Sequence, residues 1–234
     1  MIVRLHNLSA RAPVLDDLSA VVDLMIKSDI AESSGESMEA VEEDIRNSWQ
    51  VSGFNLKTDA WVIMTNREQI VGYADLRQDE NGQFIMVLRV HPDFRGRGIG
   101  TLLLWMVEER ARQLVQNVRS DLRVSLRSTL SSLNQIGRSL FEREGYAVAN
   151  RFWRIVIEMD EMPPQSFEEL SQRGRLKVDV VVDSQTAVGP TQLQRRTGMY
   201  VVYQYEVYEK ELRAGKGAQQ EEDLAEEQAC PLTV

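Results

Sequence analysis

Apolar positions recur along this chain in two periods. In VLDDLSAVVDLMIKS (14–28) they are Leu15, Leu18, Val21, Val22, Met25 and Ile26. In SMEAVEEDIRNSW (37–49) they are Val41, Ile45 and Trp49, behind Ser37 as an N-cap. Steps of three and four predict two amphipathic helices. The period then shortens. AWVIM (60–64) and IVGYADL (70–76), joined by polar TNREQ, predict a hairpin, and QFIMVLRV (83–90) predicts a third strand after the turn signal DENG. MIVRLHNL (1–8) predicts a strand ahead of the helices. Past residue 98, Ile99, Leu103, Val107, Ala111, Leu114 and Val118 predict the buried face of a longer helix, with Glu108 and Arg112 as an i,i+4 pair outside. LRVSLR (122–127) reads as a strand, SSLNQIGRSLFEREGY (131–146) as a short helix stopped by Gly145, and VANRFWRIVIEM (148–159) as a final extended run. The prolines of MPPQ (162–165) break that run.

A pattern then repeats. Leu122, Val124, Leu140, Arg143, Gly145, Val148 and Phe152 fall opposite Leu176, Val178, Leu193, Arg196, Gly198, Val201 and Tyr205 when 122–152 is laid on 176–205 with one gap. Each copy reads strand, helix, glycine stop, strand. The second copy lacks the strands and the glycine stretch that precede the first. The expected organisation is a domain over 1–160, a linker over 161–172, a partial strand-helix-strand unit over 173–213 and an acidic disordered tail over 214–234. Val178, Val180, Val182, Leu193, Val201, Val202 and Tyr205 are too apolar as a group to leave in water. The partial unit is therefore expected to dock on the first domain, or on its counterpart in a second chain to build a homodimer.

Composition narrows the class. The chain has 234 residues, 43% of them hydrophobic, and a net charge of −9. Glu221, Glu222, Asp223, Glu226 and Glu227 gather in the tail, so the body is only mildly acidic and shows no basic patch for nucleic acid. No apolar run approaches the roughly 18 residues of a membrane helix, and the N-terminus lacks a signal-peptide core. Cys230 is the single cysteine, which excludes an intrachain disulfide and a cysteine-based metal cluster; no metal is expected. The expected location is the cytoplasm.

The chemistry concentrates in RVHPDFRGRGIGTLLL (89–104), where Gly96, Gly98 and Gly100 separate a strand from a helix. Unpaired N–H groups at a helix start, approached through glycines, make an anion site. Two nucleotide motifs fail here. A Walker loop needs Gly-Lys-Ser/Thr, but Gly100 is followed by Thr101 and Leu102; G-x-G-x-x-G finds Thr101 or Leu103 at its third glycine. VHPDFRGRGIGTLLL instead resembles the acetyl-CoA motif of the GNAT superfamily of N-acetyltransferases, a strand ending Val-x-Pro and then Arg/Gln-x-x-Gly-x-Gly/Ala, with Arg95, Gly98 and Gly100 in place. NQIGRSLFEREGY resembles a second family segment through Asn134, Leu140, Glu142 and Gly145, with Gly137 for alanine and Phe141 for tyrosine. The partial repeat resembles the second half of tandem mycothiol-synthase-like chains.

This resemblance implies an α/β (α+β) GNAT fold: a mixed, mostly antiparallel sheet, splayed between strands 83–90 and 122–127 and flanked by helices. It implies acetyl-CoA as cosubstrate. Its pantetheine arm would pair with the backbone of Leu88 and Val90. Its pyrophosphate would be held by the backbone N–H groups of Arg95, Gly96, Arg97, Gly98, Ile99, Gly100 and Thr101. Asn134 and Phe141 would face the arm. The implied activity is acetyl transfer to a primary amine of a small molecule or protein. The family's usual carboxylate and tyrosine are absent: FIMVLRV carries no acid, and Phe141 cannot donate a proton. Asp75, on the neighbouring strand, is the nearest candidate base. The alternative is a catalytically weak acyl-CoA sensor or scaffold.

Overall fold

The computed structural model describes residues 7–31, 38–79, 83–159, 176–183 and 200–215. Its strands are β1 (Leu8–Arg11), β2 (Ala60–Thr65), β3 (Ile70–Gln78), β4 (Phe84–Val90), β5 (Val124–Ser131), β6 (Ala147–Met159), β7 (Leu176–Asp183) and β8 (Tyr200–Arg213). The helices are α1 (Leu18–Ala31), α2 (Met38–Trp49), α3 (Ile99–Val115) and α4 (Gln135–Arg143). All eight strands join one sheet in the order β1-β2-β3-β4-β5-β8-β6-β7. Every pairing is antiparallel except β4 with β5.

Alternation along β3 decides which helices lie where. Tyr73 joins Val21, Leu24, Ile45 and Trp49, placing α1 and α2 on one face. Ala74 and Leu76 join Leu103, Leu104, Val107 and Phe141, placing α3 and α4 on the other. Ile70 through Leu76 are all buried, as a strand covered on both sides must be. Gly72 faces α3, where a Cβ would come within 2.8 Å of Ile99 Cγ2. No helix among the described residues is long and apolar enough to cross a membrane.

Three expectations change. The strand predicted over 1–8 lies mostly outside the described residues, and the first described strand is Leu8–Arg11, paired with Val62–Thr65. Glu108, read as outward-facing, is only 3% exposed. It accepts hydrogen bonds from Tyr146 Oη at 3.0 Å, Lys210 Nζ at 2.9 Å and Arg112 Nη2 at 2.7 Å. Those three cationic or hydroxyl donors satisfy a carboxylate that burial alone would disfavour. Periodicity could not show this, because Lys210 is 102 residues away.

The third change concerns the partial unit over 173–213. Its last strand, β8, sits between β5 and β6, paired with both. Tyr208, opposite Ser128 on one side and Val148 on the other, is fully buried in the main core. β7 extends the same sheet beyond β6. The strands of the two sequence copies thus interleave in one sheet rather than form a separate second unit. Both edges of β8 are used within the chain, leaving neither for a second copy. The expected linker (161–172), the helix between β7 and β8 and nearly all of the tail lie outside the described residues.

Candidate functional site

The site begins where β4 and β5 part. They pair only at Phe84 with Leu126 and Ile85 with Arg127. Ser128 Oγ then donates to the Met86 carbonyl at 3.2 Å across the start of the divergence. On the other side of β4, His91 N donates to Val71 O at 2.9 Å. With the β3–β4 register, this fixes which peptide groups point where, because facing pairs of an antiparallel ladder alternate. Residues 87, 89 and 91 bond toward β3. The peptide groups of Met86, Leu88 and Val90 turn toward the gap.

This gap opens into a cleft. Of the predicted coenzyme residues, Leu88, Val90, Arg95, Gly96, Gly100, Asn134 and Phe141 line it together. Ile99, Thr101, Gly98 and Arg97 do not. Ile99 is 1% exposed in the core, and Thr101 Oγ1 accepts from Arg143 Nη2 at 3.0 Å. The Arg97 guanidinium lies 4.7 Å from the Phe94 ring centroid and donates to Asp93 O. What these positions offer is backbone. The first bond within α3 is Leu102 N to Gly98 O at 3.0 Å, so the N–H groups of Ile99, Gly100 and Thr101 have no partner inside the helix. With the helix dipole behind them, they form a seat for anionic oxygens.

The three glycines serve two purposes. Gly96 at φ +76° and Gly98, the N-cap, at φ +87° occupy left-handed backbone that side-chain-bearing residues rarely adopt. Gly100 is helical, but its Cβ would stand 3.1 Å from Leu140 Cδ2 and 3.7 Å from Val90 Cγ2. Asn134 caps α4, its Oδ1 accepting from Gly137 N at 2.8 Å. A Cβ at Gly137 would stand 3.0 Å from the Asn134 amide. Phe141 is 1% exposed and stacks on Tyr208 with centroids 5.5 Å apart.

Asp75 does not line the cleft. Its side chain lies on the α1/α2 face, with the residue 3% exposed. Tyr73 Oη donates to its Oδ2 at 2.7 Å and Arg77 Nε to its Oδ1 at 3.2 Å. Trp49 Nε1 donates to Tyr73 Oη, and Arg77 Nη1 to Ser48 Oγ. Burial raises the Asp75 pKa, only partly offset by Arg77 and Tyr73. This network ties α2 to the sheet. Sequence reasoning missed Ser28 and Arg89, which also line the cleft. Arg95 Nη2 donates to Ser28 Oγ at 3.0 Å, joining the glycine loop to α1. Nothing local to LMIKSD marks Ser28; only the packing of α1 on β4 does.

Comparison with known proteins agrees with this geometry. The sequence model of the acetyltransferase (GNAT) family matches residues 23–146, and the chain belongs to that family. No curated protein matches it in sequence. Among solved structures, a GCN5-related N-acetyltransferase from Sphaerobacter thermophilus superposes with a TM-score of 0.72 at 20% identity, covering 89% of this chain and 97% of that one. A phosphinothricin acetyltransferase from Sinorhizobium meliloti in complex with acetyl-CoA gives 0.52 at 13% identity, covering 90% and 91%. A GCN5-related N-acetyltransferase from Kribbella flavida gives 0.52 at 13%, covering 88% and 99%. The protein is an acetyltransferase of GNAT fold.

Proposed function

We propose that this chain takes an acetyl group from acetyl-CoA and delivers it to a primary amine of a small molecule or protein. The observation that carries this reading is the cleft itself. Two strand segments diverge beside a glycine-rich helix start, so one extended ligand can meet strand-type and helix-type N–H groups in sequence. The Leu88 and Val90 peptides suit the amide-bearing arm. The N–H groups of Ile99, Gly100 and Thr101 suit the pyrophosphate, and Arg95 at the cleft wall adds positive charge. Phe141 and Leu140 add apolar surface to the cleft wall.

A second reading, an acyl-CoA sensor or scaffold with weak turnover, draws on two observations: among the described residues no carboxylate lines the cleft, and Phe141 offers no acidic proton. One experiment separates them. Purified protein is titrated with acetyl-CoA by calorimetry and then assayed for thiol release against alkyl amines, amino acids and lysine- or N-terminal peptides. Binding with amine-dependent thiol release is expected. Binding without release for any acceptor class favours the sensor. No binding at all removes both.

A further inference from the structure

Among the described residues no carboxylate lines the cleft, which raises a chemical difficulty. An amine reaches the site at neutral pH as an ammonium and must lose a proton before it can attack. Arg89, in the cleft wall, leads to a carboxylate on α1. It alternates with Leu88 and Val90, both packed against the α3/α4 core, so its side chain leaves β4 on the α1 side. There its Nε lies 3.4 Å from Asp29 Oδ1, in the last turn of α1, with the side chains 22% and 17% exposed. Nη1 of Arg89 donates to Leu88 O at 3.1 Å, holding the guanidinium against the strand edge that faces the cleft. Asp29 directly follows Ser28, which lines the cleft and is bound by Arg95.

We propose that Asp29 is the acceptor-side catalytic residue: its carboxylate, held by Arg89, receives the incoming ammonium and takes its proton. This rests on the reading that the cleft holds a CoA thioester. In the step, one N–H proton of the ammonium passes to Asp29. The freed nitrogen lone pair forms the C–N bond to the acetyl carbonyl carbon, the C–S bond breaks, and a second nitrogen proton goes to the departing sulfur. The carboxylate is thus delivered by a helix, replacing the acid that β4 lacks. Arg89 is a positioning residue.

The test needs no knowledge of the natural acceptor. S-(2-aminoethyl)-CoA places an ammonium just beyond the coenzyme sulfur; S-ethyl-CoA is the uncharged match. Both are titrated by calorimetry into the full chain and into Asp29→Asn and Asp29→Glu. The parent is expected to prefer the aminoethyl thioether by roughly tenfold, as a hydrogen bond between charged groups allows. Asp29→Asn should erase that preference with S-ethyl-CoA affinity unchanged, and Asp29→Glu should restore part of it. Equal affinities in the parent, or an Asp29→Asn variant that weakens both thioethers alike, would leave Asp29 as no more than a pin for α1 and overturn the proposal. Failure of both thioethers and of CoA to bind the parent would instead remove the reading of the cleft on which it rests.

Discussion

Burial gives Asp75 a chemistry that its place in the sequence does not reveal. Its carboxyl is held above the ordinary value because the charged form is deprived of water, with Arg77 and the Tyr73 hydroxyl only partly compensating. The folded protein therefore keeps a proton that the unfolded chain has already released. This contribution to stability is full below the unfolded value and declines as pH rises through the folded value, after which it is constant. Asp75→Asn removes the charge and with it that slope. Urea unfolding should show the variant gaining stability relative to the parent as pH rises from about 3 to 7, the span being set by the usual carboxylate range. Acetyl-CoA affinity should stay the same, because the side chain does not line the cleft. A variant with the parental slope would show that Asp75 is ionised throughout. As a residue type on a strand, Asp75 was easy to find; its burial under α2 depends on Ser48 and Trp49, which no local pattern connects to it.

Among the elements, the glycine loop lets two destabilising effects be weighed separately. Gly98→Ala forces a Cβ into left-handed backbone, at about 1–2 kcal/mol. Gly100→Ala gains helix propensity, worth up to about 1 kcal/mol, and spends it against Leu140 Cδ2 at 3.1 Å. The first variant should melt lower. The second should melt close to the parent yet bind acetyl-CoA about tenfold more weakly, equivalent to about 1.4 kcal/mol, because Leu140 and Gly100 share the cleft wall. Thermal melts and calorimetry on both variants check the split; a Gly100→Ala protein with parental affinity would show that Leu140 swings away from the ligand. This part of the site was legible because strand, glycines and helix are contiguous. Ser28 and Arg89 were not, since they meet only after α1 has packed on β4.

At the scale of the whole molecule, the sheet depends on its last described strand. Removing the chain after Met162 deletes β8 and separates β5 from β6. Glu108 then loses Lys210, one of its three partners, and Phe141 loses the ring it stacks on. The shortened protein should show no cooperative melt by circular dichroism. Within the full chain, Tyr208→Ala should cost about 3–5 kcal/mol, as for other large buried aromatics, read from denaturant midpoints. A truncated protein with the parental melting point would mean that β8 is dispensable. Sequence periodicity found the strand and even its likeness to an earlier one. It could not say that β8 belongs between β5 and β6, because register across a sheet is set by partners distant in the chain.

The place of β8 also governs how the protein comes off the ribosome. At about 5–20 residues per second, several seconds separate the emergence of β6 from that of β8. Throughout that interval the β5 edge is an open template for other nascent or misfolded chains. Synthesis that stalls in this window leaves a product able to seed aggregates, and a chaperone that shields exposed strand edges would be most useful there.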